Sequence, residues 1–181
     1  ARKLPQFVCA ARSIEDVRQE IVALADLLDL RGAGQAAIAR FDSERQALMA
    51  TRPDTPLRVF LEWWPRPIFT PGRDCYSNEL IELAGGVNVC REQPGSSFEI
   101  SASQVVAAQP EVYFVSWCGV SADKLDPRRV IEREGFEDLE VAKRGAVYPL
   151  DEAFAGRPGP RMLEAARIMA RAIAKERARE S

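Results

Sequence analysis

The sequence contains no histidine. That removes the commonest metal ligand, the usual general base and every catalytic triad built on imidazole. An excess of charge of one sign is also missing: 25 Lys and Arg stand against 27 Asp and Glu, a net charge of −2. With no polybasic face to neutralise phosphates, a nucleic-acid partner has no basis. No apolar run approaches the roughly 20 residues of a membrane-spanning helix. The four cysteines, Cys9, Cys75, Cys90 and Cys118, form no CxxC pair. They read first as small buried hydrophobes, with one disulfide or a metal or redox site as alternatives. Phosphate-cradling loops are missing too: GAGQ at 32–35 follows a helical pattern, and AGGVN at 84–88 is a helix stop. Carboxylates such as Glu79, Glu82, Asp151 and Glu152 lack a pocket that would pair them, and read as a solvated face. An enzyme has little to stand on here.

What is present is an ordinary globular composition, 46% hydrophobic and 29% charged over 181 residues. That suits one domain or a little more. The beginning, ARKLPQFVCAA, has neither an initiator methionine nor the apolar stretch of a signal peptide. It runs into QFVCA, read as a strand with no evident sheet of its own. The expectation is a processed chain or a piece of a longer one.

Ser13 is an N-cap for a helix whose apolar stripe is Ile14, Val17, Ile21, Leu24 and Leu28. Gly32 and Gly34 are read as breaking it. A long, polar-surfaced helix follows over about 35–51, closed by Pro53 and Pro56. From Leu57 strands and helices alternate. RVFLEWW, VNVC, EVYFVSW and GAVYPL read as strands, and apolar runs such as RVFL imply burial on both faces. SNELIELAGG, ISASQVVAAQP, DPRRVIERE and the C-terminal GPRMLEAARIMARAIAKER read as helices, the last with Leu163, Ala166, Ala170 and Ile173 inward. The order implies βαβ units and a mostly parallel sheet. The tail AKERARES reads as a solvated helix end.

Ligands of open α/β sheets sit beyond the carboxyl ends of the strands. There the segment FLEWWPRPIFTPG (60–72) turns a strand into a proline-stiffened loop loaded with aromatic rings. Trp63 and Trp64 point to opposite faces of their strand, which assigns one of them to the core. Phe69, flanked by prolines, is held out at reduced entropic cost. Trp117 in SWCGVS and Phe154 in DEAFAGRPGP leave other strand ends. Trp63, Trp64, Phe69, Trp117 and Phe154 are therefore the candidate rim for a large, flat, apolar ligand.

In order, RVFLEWWPRPIFTPG, NELIELAGGVNV, QPEVYFVSWCG and GAVYPLDEAFAGRPGPRMLEAARIMA resemble the C-terminal half of the cobalamin (vitamin B12)-binding protein family. These are the substrate-binding proteins of ABC importers whose two lobes are joined by a single helical backbone. FVCAARSIEDVRQEIVAL is similar to the end of that family's first lobe. The resemblance implies a Rossmann-like C-terminal α/β lobe of a two-lobe binding protein, preceded by the long inter-lobe helix, with the N-terminal lobe absent from this chain. The divisions are 1–30, the end of the first lobe; 31–56, the backbone helix; and 57–181, the α/β lobe. It further implies no catalysis and no cofactor of its own. The implied partners are a corrinoid ligand and an ABC-importer permease, and the implied location is the periplasm or extracytoplasmic membrane face.

On this resemblance Phe69 packs on the corrin, and Phe98 replaces a ligand-facing tryptophan. Ser103 stands where the family carries a permease-docking glutamate, with Glu99 as the nearby substitute. A chain lacking the first lobe is expected to bind weakly and to self-associate through the face that lobe would cover. The alternatives are a ferric siderophore receptor, favoured by Arg66 and Arg157, a haem receptor ligating through Tyr76, Tyr113 or Tyr148, or a cytosolic corrinoid-handling α/β protein.

Overall fold

The computed structural model describes residues 6–180. Residues 6–10 enter no sheet among these, so the expected QFVCA strand is not formed. A strand is defined by a hydrogen-bonded neighbour, and among the described residues none lies beside it. Helix α1 (Ile14–Leu27) starts where Ser13 predicts it, the hydroxyl accepting from the Asp16 amide, with Glu15 and Asp16 in the first turn. Helix α2 is Arg31–Thr51. Gly32 and Gly34 lie inside it rather than breaking the chain, and the turn falls instead at Asp29, whose φ is +55°. Gly34 is there for proximity: a Cβ on it would lie 2.3 Å from the Cβ of Ala25, where α1 crosses α2. Arg18 of α1 pairs with Asp42 of α2 across the same crossing at 3.0 Å.

The main sheet has the order β4-β1-β6-β7, from β1 (Leu57–Glu62), β4 (Gly86–Asn88), β6 (Val112–Val115) and β7 (Val147–Pro149), all parallel. Alternation along β1 and β6 splits the core in two. Val59, Leu61, Val112 and Phe114 face a layer shared with α2, α3 (Ser77–Leu83) and α8 (Met162–Glu180), including Phe41, Ile81, Met169 and Ile173. Phe60, Tyr113 and Val115 face the opposite layer of Val105, Val130, Phe136 and Leu139. Both faces of the sheet are covered, as the apolar runs require.

Helix α3 ends as expected, with Gly85 at φ +87°, a conformation open to glycine without a Cβ penalty. Ser101 caps α4 (Ala102–Ala108) in a reciprocal box with Gln104. The DPRRVIERE helix shortens to the single turn α5 (Arg128–Ile131). One-turn helices α6 (Glu140–Lys143) and α7 (Glu152–Ala155) precede β7 and α8 respectively.

The proline-rich segment is not a loop. Strands β2 (Trp64–Pro65) and β3 (Ile68–Pro71) form an antiparallel hairpin closed by a cis Arg66–Pro67 bond, and β5 (Ser97–Ile100) adds a third strand. This small sheet hangs from the carboxyl end of β1, tied by the Trp63 amide to the Phe69 carbonyl at 2.8 Å.

Candidate functional site

The small sheet has two unlike faces. Ile68 and Ile100 pair across β3 and β5 and are buried in the second core layer, joined there by Phe98. On the other face Trp64 pairs with Phe69, and Phe69 with Glu99, in one row across three strands. Directly opposed residues carry their side chains on one face about 5 Å apart. Trp64 is 44% exposed and Phe69 half-buried. The indole N–H of Trp64 donates to the Arg66 carbonyl at 3.1 Å, fixing the ring over the turn. Trp64 and Phe69 thus form a ledge at the carboxyl margin of the main sheet. Trp63, on the opposite side of its strand, is half-buried against the first core layer, and its indole nitrogen is buried without a hydrogen-bond partner.

Three residues expected to face the ligand are elsewhere. Trp117 is only 5% exposed, and its indole donates to Glu62 at 2.8 Å, so it packs inside the lobe. Phe98 pairs with Thr70 and turns to the core face of the small sheet, because period-2 alternation places Ser97 and Glu99 outward instead. Phe154 is half-buried beneath the Arg161 guanidinium, 5.4 Å from the ring centre. It lines a groove of about 760 Å³ with Leu24, Leu28 and Phe41, apart from the ledge. Glu99 is exposed beside Phe69, and Ser103 is exposed with its hydroxyl 3.0 Å from that of Ser101.

The most ordered polar feature was hidden in the RVFLEWW run. Glu62, at the end of β1, is fully buried. It accepts both guanidinium nitrogens Nη1 and Nη2 of Arg133 at 2.7 Å each, the Trp117 indole and the Tyr113 hydroxyl. Four donors on two oxygens satisfy the carboxylate completely. Burial, reinforced by the Glu62 charge, holds the Tyr113 phenol well above its ordinary range. A charged residue inside a strand covered on both faces demands such a partner, and that was the signal available in the sequence.

All three tyrosine hydroxyls are committed internally: Tyr113 to Glu62, Tyr76 to the Ala155 carbonyl at 2.6 Å, and Tyr148 to Glu176. All four cysteines are free thiols; Cys75 and Cys90 are buried, Cys9 and Cys118 exposed. No cluster of three metal-ligating side chains occurs among the described residues.

A parallel sheet covered on both faces, bearing aromatic rings at its carboxyl margin and preceded by a long helix, is a Rossmann-like α/β lobe. The chain belongs to the periplasmic binding protein family, whose sequence profile matches residues 4–154. It is 28% identical over 163 residues to the vitamin B12-binding protein of Vibrio parahaemolyticus, covering 90% of this chain and 57% of that protein. It is 27% identical over 121 residues to the uncharacterized ABC transporter substrate-binding lipoprotein YvrC of Bacillus subtilis, covering 66% of this chain and 36% of that protein. Among solved structures, the periplasmic vitamin B12 binding protein BtuF of Vibrio cholerae superposes with a TM-score of 0.78 at 22% identity, covering 93% of this chain and 64% of that one. The periplasmic heme-binding protein BhuT in complex with two hemes gives a TM-score of 0.78 at 25% identity, covering 91% and 64%. The chain spans little more than half the length of the vitamin B12-binding relative from Vibrio parahaemolyticus.

Proposed function

We propose that this chain is the ligand-carrying C-terminal lobe of a substrate-binding component of an ABC importer, and that its ligand is cobalamin or a related corrinoid. The observation that carries the reading is the Trp64–Phe69 row, two rings in cross-strand register on the open face of the small sheet. A flat macrocycle buries apolar area on such a ledge without a histidine, a metal ligand or a catalytic group. The name of the relative from Vibrio parahaemolyticus favours the same ligand. A haem ligated through tyrosine fits less well, because each phenol already donates inside the lobe. A ferric siderophore is the second reading, favoured by Arg66, exposed at the turn beside the ledge. In this function the exposed Glu99 supplies the carboxylate that meets a permease, Ser103 lying near it. The site of action is the extracytoplasmic side of the membrane, and the role is transport rather than catalysis.

Nanomolar affinity corresponds to about 12 kcal/mol. If two lobes share the contacts evenly, one lobe retains about 6, a dissociation constant of tens of micromolar. Calorimetric titration of the chain with cyanocobalamin, hemin and a ferric hydroxamate tests this. The expected result is cobalamin binding in the tens-of-micromolar range, weakened by Phe69→Ala. Binding of hemin or hydroxamate with no response to cobalamin refutes it.

A further inference from the structure

The Glu62–Arg133 pair occupies a place where stability alone does not account for it. Buried ion pairs are poor stabilisers, since desolvating two charges offsets most of their attraction. Yet this one sits on the residue immediately before Trp63 and Trp64. Its neighbours zip two strand ends together: the Ser116 amide donates to the Glu62 carbonyl at 2.8 Å, and the Cys118 amide to the Trp63 carbonyl at 3.2 Å. Arg133 arrives from 71 residues further along the chain. The stretch between β6 and β7 that carries it holds only a three-residue 3-10 turn (Ala122–Lys124) and the one-turn helices α5 and α6. Such a segment has little regular structure of its own; Leu125 and Val130 anchor it in the core, and the fork adds a directional tie to the end of β1. The bidentate fork is planar and directional, so it specifies orientation as well as distance.

We propose that Glu62 and Arg133 act as positioning residues for ligand binding: the pair pins the 117–133 segment against the end of β1 and thereby presets the angle at which Trp63 and Trp64 leave the main sheet. This rests on the ledge being the ligand surface. Trp117 is held inward by the same carboxylate, so its shielding reports the state of the pin without any ligand.

The test uses the whole chain and two variants. Glu62→Gln with Arg133→Met removes both charges together, and the amide offers its oxygen to the Trp117 indole and an N–H to the Tyr113 hydroxyl, so the fold is retained. Arg133→Lys keeps the charge and loses the fork. Acrylamide quenching is read in a Trp63→Phe/Trp64→Phe background, where Trp117 is the sole indole, and cyanocobalamin affinity is read in the background with all three tryptophans. In both variants Trp117 becomes more quenchable, and the dissociation constant rises about tenfold with thermal stability largely kept, as for a loosened supporting shell. Unchanged quenching overturns the pin. Increased quenching with unchanged affinity, or affinity lost only in proportion to stability, overturns its positioning role. A native chain that binds no cobalamin overturns the reading of the ledge instead, and quenching then judges the pin by itself.

Discussion

Two glycines in one helix predict opposite responses to the same substitution. Gly32 and Gly34 both lie in the first turn of α2, and each gains up to about 1 kcal/mol of helix propensity on becoming alanine. At Gly32 nothing lies within 4 Å of the added Cβ, so Gly32→Ala keeps that gain. At Gly34 the new methyl meets the Ala25 Cβ at 2.3 Å, far inside van der Waals contact, and its neighbour is itself a Cβ fixed to a helix backbone. No rotamer relieves that clash; α1 must move outward. Such overpacking costs about 1–3 kcal/mol, so Gly34→Ala ends about 1 kcal/mol less stable than the native chain. The two variants then differ by about 2 kcal/mol, which for a chain of this size separates their melting temperatures by roughly 4–8 °C. Urea denaturation checks the same difference through the midpoint at constant slope. Equal stabilisation by both substitutions refutes the close crossing of α1 on α2.

Tyrosine ionisation is expected late: Tyr148 is raised to about 12 by burial and the Glu176 hydrogen bond, and Tyr76 and Tyr113 are raised chiefly by burial. The Tyr148 contribution to stability is complete below about 10, its unfolded value, and fades as pH rises towards 12. A spectrophotometric titration in which folded protein forms tyrosinate at about 10 refutes this. A thiol reagent should label Cys9 and Cys118 at once, and Cys75 and Cys90 only on unfolding, since burial raises both buried thiols, Cys90 to about 11. Rapid labelling of all four is the contrary result. Exposed Leu24, Leu27, Leu28 and Leu30 around the α1–α2 turn predict concentration-dependent self-association, abolished by Leu24→Asp/Leu28→Asp; sedimentation as a clean monomer at high concentration argues against it.

The α/β alternation was legible because burial leaves a periodic trace. Val59 and Leu61 on one side of β1, with Phe60 on the other, are a continuous apolar run that only a doubly covered strand tolerates. Caps at Ser13 and Ser101 and the stop at Gly85 were equally local. The hairpin was not, because prolines argue against strands, and what permits them here is an isolated three-stranded sheet. For the same reason Phe98 was given the wrong face: nothing in SSFEI announces β5 until β3 lies beside it. Leu24 and Leu28 belong to a genuine amphipathic stripe, yet only Ile14, Val17 and the partly buried Ile21 meet the core. Trp117 looked like a rim residue because Glu62 and Arg133, 71 residues apart, have no mutual trace in sequence spacing.

The ledge continues from β1, which lies between β4 and β6 in the main sheet, through the single bend at Trp63, with no long loop between them. A visiting molecule cannot draw Trp64 and Phe69 towards itself by bending a loop. If the ledge is the ligand surface, any grip would come from travel of the lobe as one piece, and discrimination between ligands would be written into the tilt of two rings rather than into their adaptability.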